Sequence, residues 1–445
     1  MYIDKILNLV SGLKGIFRSL RYRNYRLFFS GQSISLIGTW IQRIATPWLV
    51  YHLTGSPFLL GLVGFAGQIP TFFIAPFAGV LTDRWNKYYI MIGTQVAAMI
   101  QALILAFLYF NGSITIWYIV LLNIILGCIN AFDVPARQSF MIHMVDKKED
   151  LGNAIALNSS MVNGARLLGP SIAGMLIALT GEGMCFLING ISYFFVITTL
   201  LLMKVNLPRE KRKNGNVLRE LKEGFSYTFG FTPIKSIILL LSLISLMGMS
   251  YQVLMPVFAK IILHGGPHTF GFLMGATGLG ALTGALYLAS RKKVLGLGRI
   301  IPLAAGTFGT ALVLFSFSRY IWLSMILLVF VGLGMMMNLA SSNTILQTIS
   351  DDDKRGRVMS FYAMAFMGTA PFGSLLAGSL AKLISTPYTI MIGGISCIIG
   401  AIIFASQLSD IRKLIRPIYI KLGVIPQEVS TGIQIATELT VPPEE

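Results

Sequence analysis

The sequence predicts an all-α membrane protein: twelve transmembrane helices in two six-helix bundles, with both termini cytoplasmic. Three observations predict it. First, charged residues make up only 12% of the chain and hydrophobic ones 55%, where a soluble chain carries about 25% charge. The mean hydropathy is accordingly high, at +0.73. Second, the apolar runs are long and do not alternate. They fit spanning helices of about 20 residues rather than barrel strands, and in lipid such a run must satisfy its own backbone. Third, Lys and Arg concentrate in every second loop.

Residues 1–26 form an amphipathic basic N-terminal segment. Ile3, Ile6, Leu7, Val10, Leu13, Phe17 and Leu20 share one helical stripe, with Lys5, Lys14 and Arg18 off it. This reads as an interfacial helix on the inner leaflet, not a signal peptide, with Arg21, Arg23 and Arg26 anchoring the first span. The first bundle, 27–204, holds spans at roughly 27–53, 57–82, 88–110, 115–137, 151–180 and 184–204. A polar, basic cytoplasmic linker follows over 205–232. The second bundle, 233–407, holds spans at roughly 234–263, 268–290, 297–317, 320–349, 355–384 and 387–407. A surface-bound or disordered cytoplasmic tail is expected over 408–445. The loops after odd spans, such as Thr54–Pro57 and Gly181–Gly183, are short and nearly free of Lys and Arg. The even loops carry Arg84, Lys87, Arg137, Lys147, Lys148, Arg291 and Arg355. Positive residues stay inside, which sets the orientation.

The halves echo each other. Pro47, Pro57 and Gly61 in the first correspond to Pro256, Pro267 and Gly271 in the second, at an offset of about 210. Gly169 and Gly174 correspond to Gly373 and Gly378 at about 204. Two like-oriented repeats of six spans place a central site between halves.

The stretch Gly79 to Lys87, GVLTDRWNK, resembles the loop between helices 2 and 3 of the major facilitator superfamily. The resemblance implies a cytoplasmic latch made of Gly79, Asp83, Arg84 and Lys87 with Arg137. Further stretches resemble the branch of that superfamily that includes macrolide-type drug exporters and the enterobactin exporter: Gly38 to Ala45 (GTWIQRIA), Leu53 to Ser56, Pro135 to Gln138, Asn153-Ala154, Ala165 to Pro170 and Arg355 to Val358. The likeness runs over about residues 20 to 410 and implies the major facilitator fold and transport. Gly164 to Gly174, GARLLGPSIAG, resembles the fifth-helix antiporter motif of exporters, with Met175 where the motif has a further Gly. Pro170 interrupts the helical ladder, so Gly169, Pro170 and Gly174 are the expected helix-5 kink. The second-half counterpart of the latch, near Arg291, lacks the Asp.

A charge at the centre of a span costs about 2.5–3.5 kcal/mol, so it needs a partner or a watery cavity. Arg43, Arg166 and Asp133 lie within spans, and Lys260 near a span end. The superfamily likeness places spans 1 and 4 along the cavity and span 5 at its border. The expected cavity residues are Gln32, Thr39, Gln42 and Arg43 from span 1, Asn123 and Asn130 from span 4, Asn163 and Arg166 from span 5, and Gln252 and Asn338 from the second half. Met247, Met335, Met364 and Phe366 offer adaptable apolar faces there. Asp133 is either a proton-coupling group or a structural partner of Arg137 or Arg166. Arg43 and Arg166 outnumber it, so an anionic or zwitterionic amphiphile is expected.

The net charge of +17 belongs to membrane-flanking loops and anionic lipid rather than to nucleic acid. Cys128, Cys185 and Cys397 lie in apolar runs without disulfide or metal spacing. No phosphate-cradling loop, zinc-protease motif or nucleophile elbow occurs, so neither an enzyme nor a cofactor or metal is expected. The expected activity is proton-coupled export by alternating access, in a monomer of the plasma membrane (the inner membrane of a Gram-negative cell). A lysophospholipid flippase, a siderophore exporter and a non-transporting sensor are the alternatives.

Overall fold

A computed structural model describes residues 17–204, 217–291, 294–352 and 354–423, the side chains at 75, 76, 79, 80, 83, 84, 148 and 217–222 excepted. Residues 1–16 of the N-terminal segment, 205–216 of the linker and 424–445 of the tail lie outside the described residues.

The described chain is helical throughout. The first half contributes α1 (Arg23–Thr54), α2 (Pro57–Arg84), α3 (Lys87–Phe110), α4 (Ile116–Phe140), α5 (Lys148–Thr180) and α6 (Glu182–Leu201). The second contributes α7 (Thr232–Ile262), α8 (Pro267–Ser290), α9 (Leu297–Phe317), α10 (Ile321–Ile349), α11 (Arg355–Ile384) and α12 (Thr386–Ser406). A linker helix, Val217–Gly230, precedes α7, and a C-terminal helix, Leu408–Lys421, opens the tail. Among the described residues, eleven helices are long and apolar enough to cross a membrane. The exception is α1, which is 32 residues long but less apolar. It faces other helices: Gln32, Ser35, Gln42 and Thr46 are all buried.

Local chemistry sets the helix ends. The Leu59 N–H donates to the Ser56 hydroxyl at 3.4 Å, with Pro57 in the first turn of α2. The Tyr88 N–H donates to Asn86 Oδ1 at 3.0 Å where α3 starts. Gly55 closes α1 in the left-handed region at φ 61°. At the opposite end of the bundle, where the basic loops lie, Asp150 accepts from the Tyr22 hydroxyl at 2.6 Å and pairs with Arg18 and Arg21. The second half has a similar clasp, in which the Asp351 N–H donates to the Tyr227 hydroxyl at 3.3 Å.

Each half packs within itself, α1 on α6 and α2 on α4 in the first, α8 and α9 on α10 in the second. Two crossings join the halves: α5 with α8, and α2 with α11. Both are built on glycine pairs at the end carrying the short loops that are nearly free of Lys and Arg. A Cβ on Gly174 would lie 2.6 Å from the Pro267 carbonyl and 2.9 Å from Gly271 Cα. A Cβ on Gly61 would lie 2.6 Å from the Ser374 carbonyl and 2.9 Å from Gly378 Cα. The pairs correspond under the repeat seen in the sequence, Gly174 with Gly378 and Gly271 with Gly61. The duplication is therefore written into backbone contact as well as into Pro and Gly spacing.

The second half departs from regular helix. Ile244–Gly248 and Phe258–Ile262 in α7 and Met364–Gly368 in α11 are π turns. The Ser245 hydroxyl donates to the Phe366 carbonyl at 2.5 Å, so two of these turns are pinned to each other. Such turns free carbonyls and recur where helices bend for function.

Candidate functional site

Three helices meet at the centre. Arg43 lies well inside α1, and its side chain is exposed although Ile41, Gln42, Ile44, Ala45 and Thr46 around it are buried. Its guanidinium carbon sits 4.9 Å from the Trp40 ring centroid. Arg166 of α5 approaches the same ring at 5.7 Å. The two charges therefore lie within roughly 11 Å of each other, stacked on one indole face system. Arg166 in turn lies within electrostatic reach of the Tyr251 hydroxyl on α7. Arg43 is thus linked through Trp40 and Arg166 toward α7 of the second half. Among the described residues no carboxylate pairs with either Arg, so an anion approaching them meets two uncompensated guanidiniums.

The prolines act on the same residues. A proline has no N–H, so the carbonyl four residues before it loses its helical partner. Pro47, Pro170 and Pro256 stand four residues after Arg43, Arg166 and Gln252. Gln252 is the repeat counterpart of Arg43, and its side chain is half-buried. The released Arg166 carbonyl packs on α8, where a Cβ on Gly278 would lie 2.9 Å from it. Gly169 has a comparable task. A Cβ there would come within 2.4 Å of Trp40 Cβ, so the missing side chain is what admits the indole that both guanidiniums use.

The other expected cavity residues divide. Gln42 is buried and donates to Gln101 Oε1 at 3.0 Å, while its own Oε1 accepts from Asn189 at 2.7 Å. Gln101 also donates to the Leu122 carbonyl at 3.3 Å. This network ties α1, α3, α4 and α6 together and leaves Gln42 facing neighbouring helices. Asn338 is likewise buried and donates to the Ile301 carbonyl at 3.2 Å. Gln32 is buried in α1. Thr39 donates back to the Ser35 carbonyl at 2.9 Å and lies 3.4 Å from the Tyr193 hydroxyl. Asn123 and Asn163, both half-buried, donate to the carbonyls of Ile119 (2.8 Å) and Ser159 (2.9 Å) on their own helices. Asn130 is exposed. Lys260 lies with its ammonium 5.7 Å from the Tyr51 ring.

Asp133 is buried, 6% exposed, and sits between α3 and α4. Its Oδ1 accepts from Thr94 Oγ1 at 3.1 Å and Gln95 Nε2 at 2.8 Å, and its Oδ2 lies 3.7 Å from Arg137. The structure brings it to Arg137, not to Arg166. Of the expected latch, Gly79, Asp83 and Arg84 lie outside the described side chains; Lys87 is buried and Arg137 half-buried. Sequence reasoning left three features unassigned. Trp40 was visible three residues before Arg43, on the same helical face. Tyr251 stood next to Gln252. Glu182, buried at the short-loop end, accepts from Tyr109 at 2.9 Å and lies 3.3 Å from His52 Nδ1, and it looks like a plain loop residue in the sequence.

Eleven apolar helices in two halves joined by glycine crossings, together with the family match over residues 14–414, mark a membrane transporter of the major facilitator type. The chain belongs to the family described as transmembrane secretion effector, whose model matches residues 14–414. It is similar to the Staphyloferrin A transporter of Staphylococcus aureus, 26% identical over 380 residues that cover 85% of this chain and 95% of the relative. It is also similar to Macrolide efflux protein A of Streptococcus pyogenes, 22% identical over 408 residues covering 88% and 99%. Among solved structures it shares the fold of the POT family transporter PepTSo, with a TM-score of 0.68 at 15% identity over 88% of this chain and 99% of that one.

Proposed function

We propose that the chain is a twelve-span, proton-coupled exporter of a small anionic or zwitterionic amphiphile, residing in the plasma membrane and working by alternating access. The observation that carries the substrate class is the pair Arg43 and Arg166 on one indole, with no described carboxylate beside them. The apolar part of the substrate would lie against second-half faces such as Met364, which is 41% exposed.

The helix α1 completes the count of twelve. At 32 residues it is about 48 Å long, more than a bilayer core of about 30 Å requires. The distribution of Lys and Arg supports cytoplasmic termini. The glycine-sealed end then faces outward, and Arg43 is open toward the cytoplasm, the loading state for an exporter. Toward the basic end Gly152, Gly164 and Gly356 have nothing within 4 Å of a would-be Cβ, in keeping with halves that part there. Asp133 is the proposed coupling group. Thr94, Gln95 and Arg137 hold it between α3 and α4, so a shift of one helix against the other changes its partners. A dedicated siderophore exporter is the second reading, supported by the relative named a staphyloferrin A transporter.

The test is counterflow in proteoliposomes with matched anionic, zwitterionic and cationic amphiphiles, with and without a pH gradient. Anions and zwitterions are expected to exchange, and Arg43→Gln or Arg166→Gln to weaken them by about 10–150-fold, the worth of one charge-assisted hydrogen bond. Cations competing best would refute the substrate class. Binding without counterflow would mark a sensor.

A further inference from the structure

We infer that the groove between the C-terminal helix and the basic-end tips of α9 and α10 is a binding site for an anionic phospholipid, with the phosphate held by Arg299 and Arg412. The groove has a volume of about 430 Å³. That is the scale of a ligand pocket rather than a crevice between side chains. Its lining is of two kinds. Arg299, Arg412 and Arg416 line it, and the Gly296–Gly298 turn brings the positive N-terminal end of α9 to the same place. The rest of the wall is apolar, including Leu295, Ile345, Leu408 and Ile415. Among the described residues no carboxylate lines it. The acid of the C-terminal helix, Asp410, is paired with Lys413 at 3.2 Å away from the groove.

The place in the fold selects the occupant. The C-terminal helix follows α12 after a single residue, Gln407, so it lies where the spans leave the membrane. It rests on the second half through Ile411 and Ile415, both buried, while Arg412 and Lys413 stay exposed. A wall that is cationic on one side and aliphatic on the other, at the level of the headgroups, matches a phosphodiester joined to acyl chains. Basic pockets between spans at this level hold lipid phosphates by the same physics. A free anion would use the arginines and leave the apolar wall wet. The tail beyond Gly423 carries Glu428, Glu438, Glu444 and Glu445 and no Lys or Arg, so it is the competing occupant to be tested.

The full-length protein is titrated with phosphatidylglycerol in phosphatidylcholine nanodiscs, and bound lipid is counted by native mass spectrometry. Arg299→Gln/Arg412→Gln is expected to weaken retention of phosphatidylglycerol by about thirty-fold, at roughly fivefold for each surface arginine. Lys413→Gln removes a charge from the same helix outside the groove and is expected to leave retention unchanged. Melting in phosphatidylcholine alone checks that the double variant is folded; should it not be, Arg412→Gln alone is expected to give about a fivefold loss. Equal losses in Lys413→Gln and the groove variants would reduce the effect to surface charge and overturn the site. Full displacement of the lipid by inorganic phosphate would make it an anion pocket, which also overturns it. Truncation after Gly423 that raises lipid retention would hand the groove to the tail.

Discussion

Replacing Gly174 with Ala should open the short-loop end of the protein. The new Cβ would stand 2.6 Å from the Pro267 carbonyl oxygen, 2.9 Å from Gly271 Cα and 3.1 Å from His268 Cα. All three are backbone atoms, so no rotamer change relieves the contact. Restoring ordinary separation needs α5 and α8 to part by roughly 0.5–1 Å. Overpacking of this kind costs about 1–3 kcal/mol. Alanine also favours helix over glycine by about 1 kcal/mol, but that gain is common to both conformations and cancels between them. The clash exists only where the crossing is closed. The equilibrium between closed and open short-loop ends should therefore shift by about 5–150-fold toward open. The assay is electron–electron distance measurement between spin labels at Ser113→Cys in the first half and Tyr320→Cys in the second, both exposed. The background has Cys128, Cys185 and Cys397 replaced. Gly164→Ala, where a Cβ meets nothing within 4 Å, is the matched control and should leave the distances alone. A Gly174→Ala distribution identical to wild type, or a shift of equal size in Gly164→Ala, would refute the claim that this glycine pair holds the end shut.

Gly378→Ala should repeat the effect at the crossing of α2 and α11, since its Cβ would lie 2.7 Å from the Pro57 carbonyl and 2.8 Å from Gly61 Cα; the same labels report it. Asp133→Asn should abolish substrate-driven proton flux in liposomes while substrate binding persists; intact flux with a lowered melting temperature would make Asp133 a structural pin between α3 and α4. Gln42→Ala should lower stability by about 2–4 kcal/mol, because the buried amides of Gln101 and Asn189 lose partners; thermal unfolding in detergent reads this, and a change within error would put the network at the periphery of stability. Gly169→Ala should displace the indole of Trp40 and lower anion affinity with little change in fold, followed by tryptophan fluorescence and counterflow together.

Much of the fold was legible because lipid leaves so few choices. Long apolar runs can only be helices, and every second loop between them announced itself by charge. The prolines and glycines at offsets near 204 and 210 mark the glycine crossings, since backbone contact demands the same missing side chain in both repeats. The site was legible in part. Arg43, Arg166 and Asp133 stood out because a charge within a span is rare; Arg43 and Arg166 lie against Trp40, and Asp133 is held by Thr94, Gln95 and Arg137. Gln42 and Asn338 were harder. A helix in the middle of a bundle has two polar inward faces, one toward the cavity and one toward its neighbours, and periodicity does not tell them apart. The π turns of α7 and α11 left no trace in composition, because an extra residue in a turn changes hydrogen-bond partners and not residue types. Glu182 was hidden for another reason: its burial arises from Tyr109 and His52, which reach it from elsewhere in the chain.

The two halves share their pivots and divide their chemistry. The crossings of α5 with α8 and α2 with α11 are near copies, and so neither is free to tighten without the other if the halves move as rigid bodies. Charge is not copied: Arg43 has Gln252 as its counterpart, and Arg166 has Ala370, with no second-half guanidinium at either place. Flexibility is not copied either, since the π turns lie in α7 and α11 while α1 and α5 run unbroken through Pro47 and Pro170. On the proposed substrate class, a first half that carries the charges, facing a second half whose helices can re-register around an apolar body, is a physical route to accepting one headgroup class with many tails. It follows that substitutions which regularise α11, such as deleting one residue of the Met364–Gly368 turn, should narrow the range of apolar groups transported while leaving the preference for anions intact. A counterflow series of one headgroup with graded tails would read that narrowing, and an equal loss across all tails would place the turn in general stability instead.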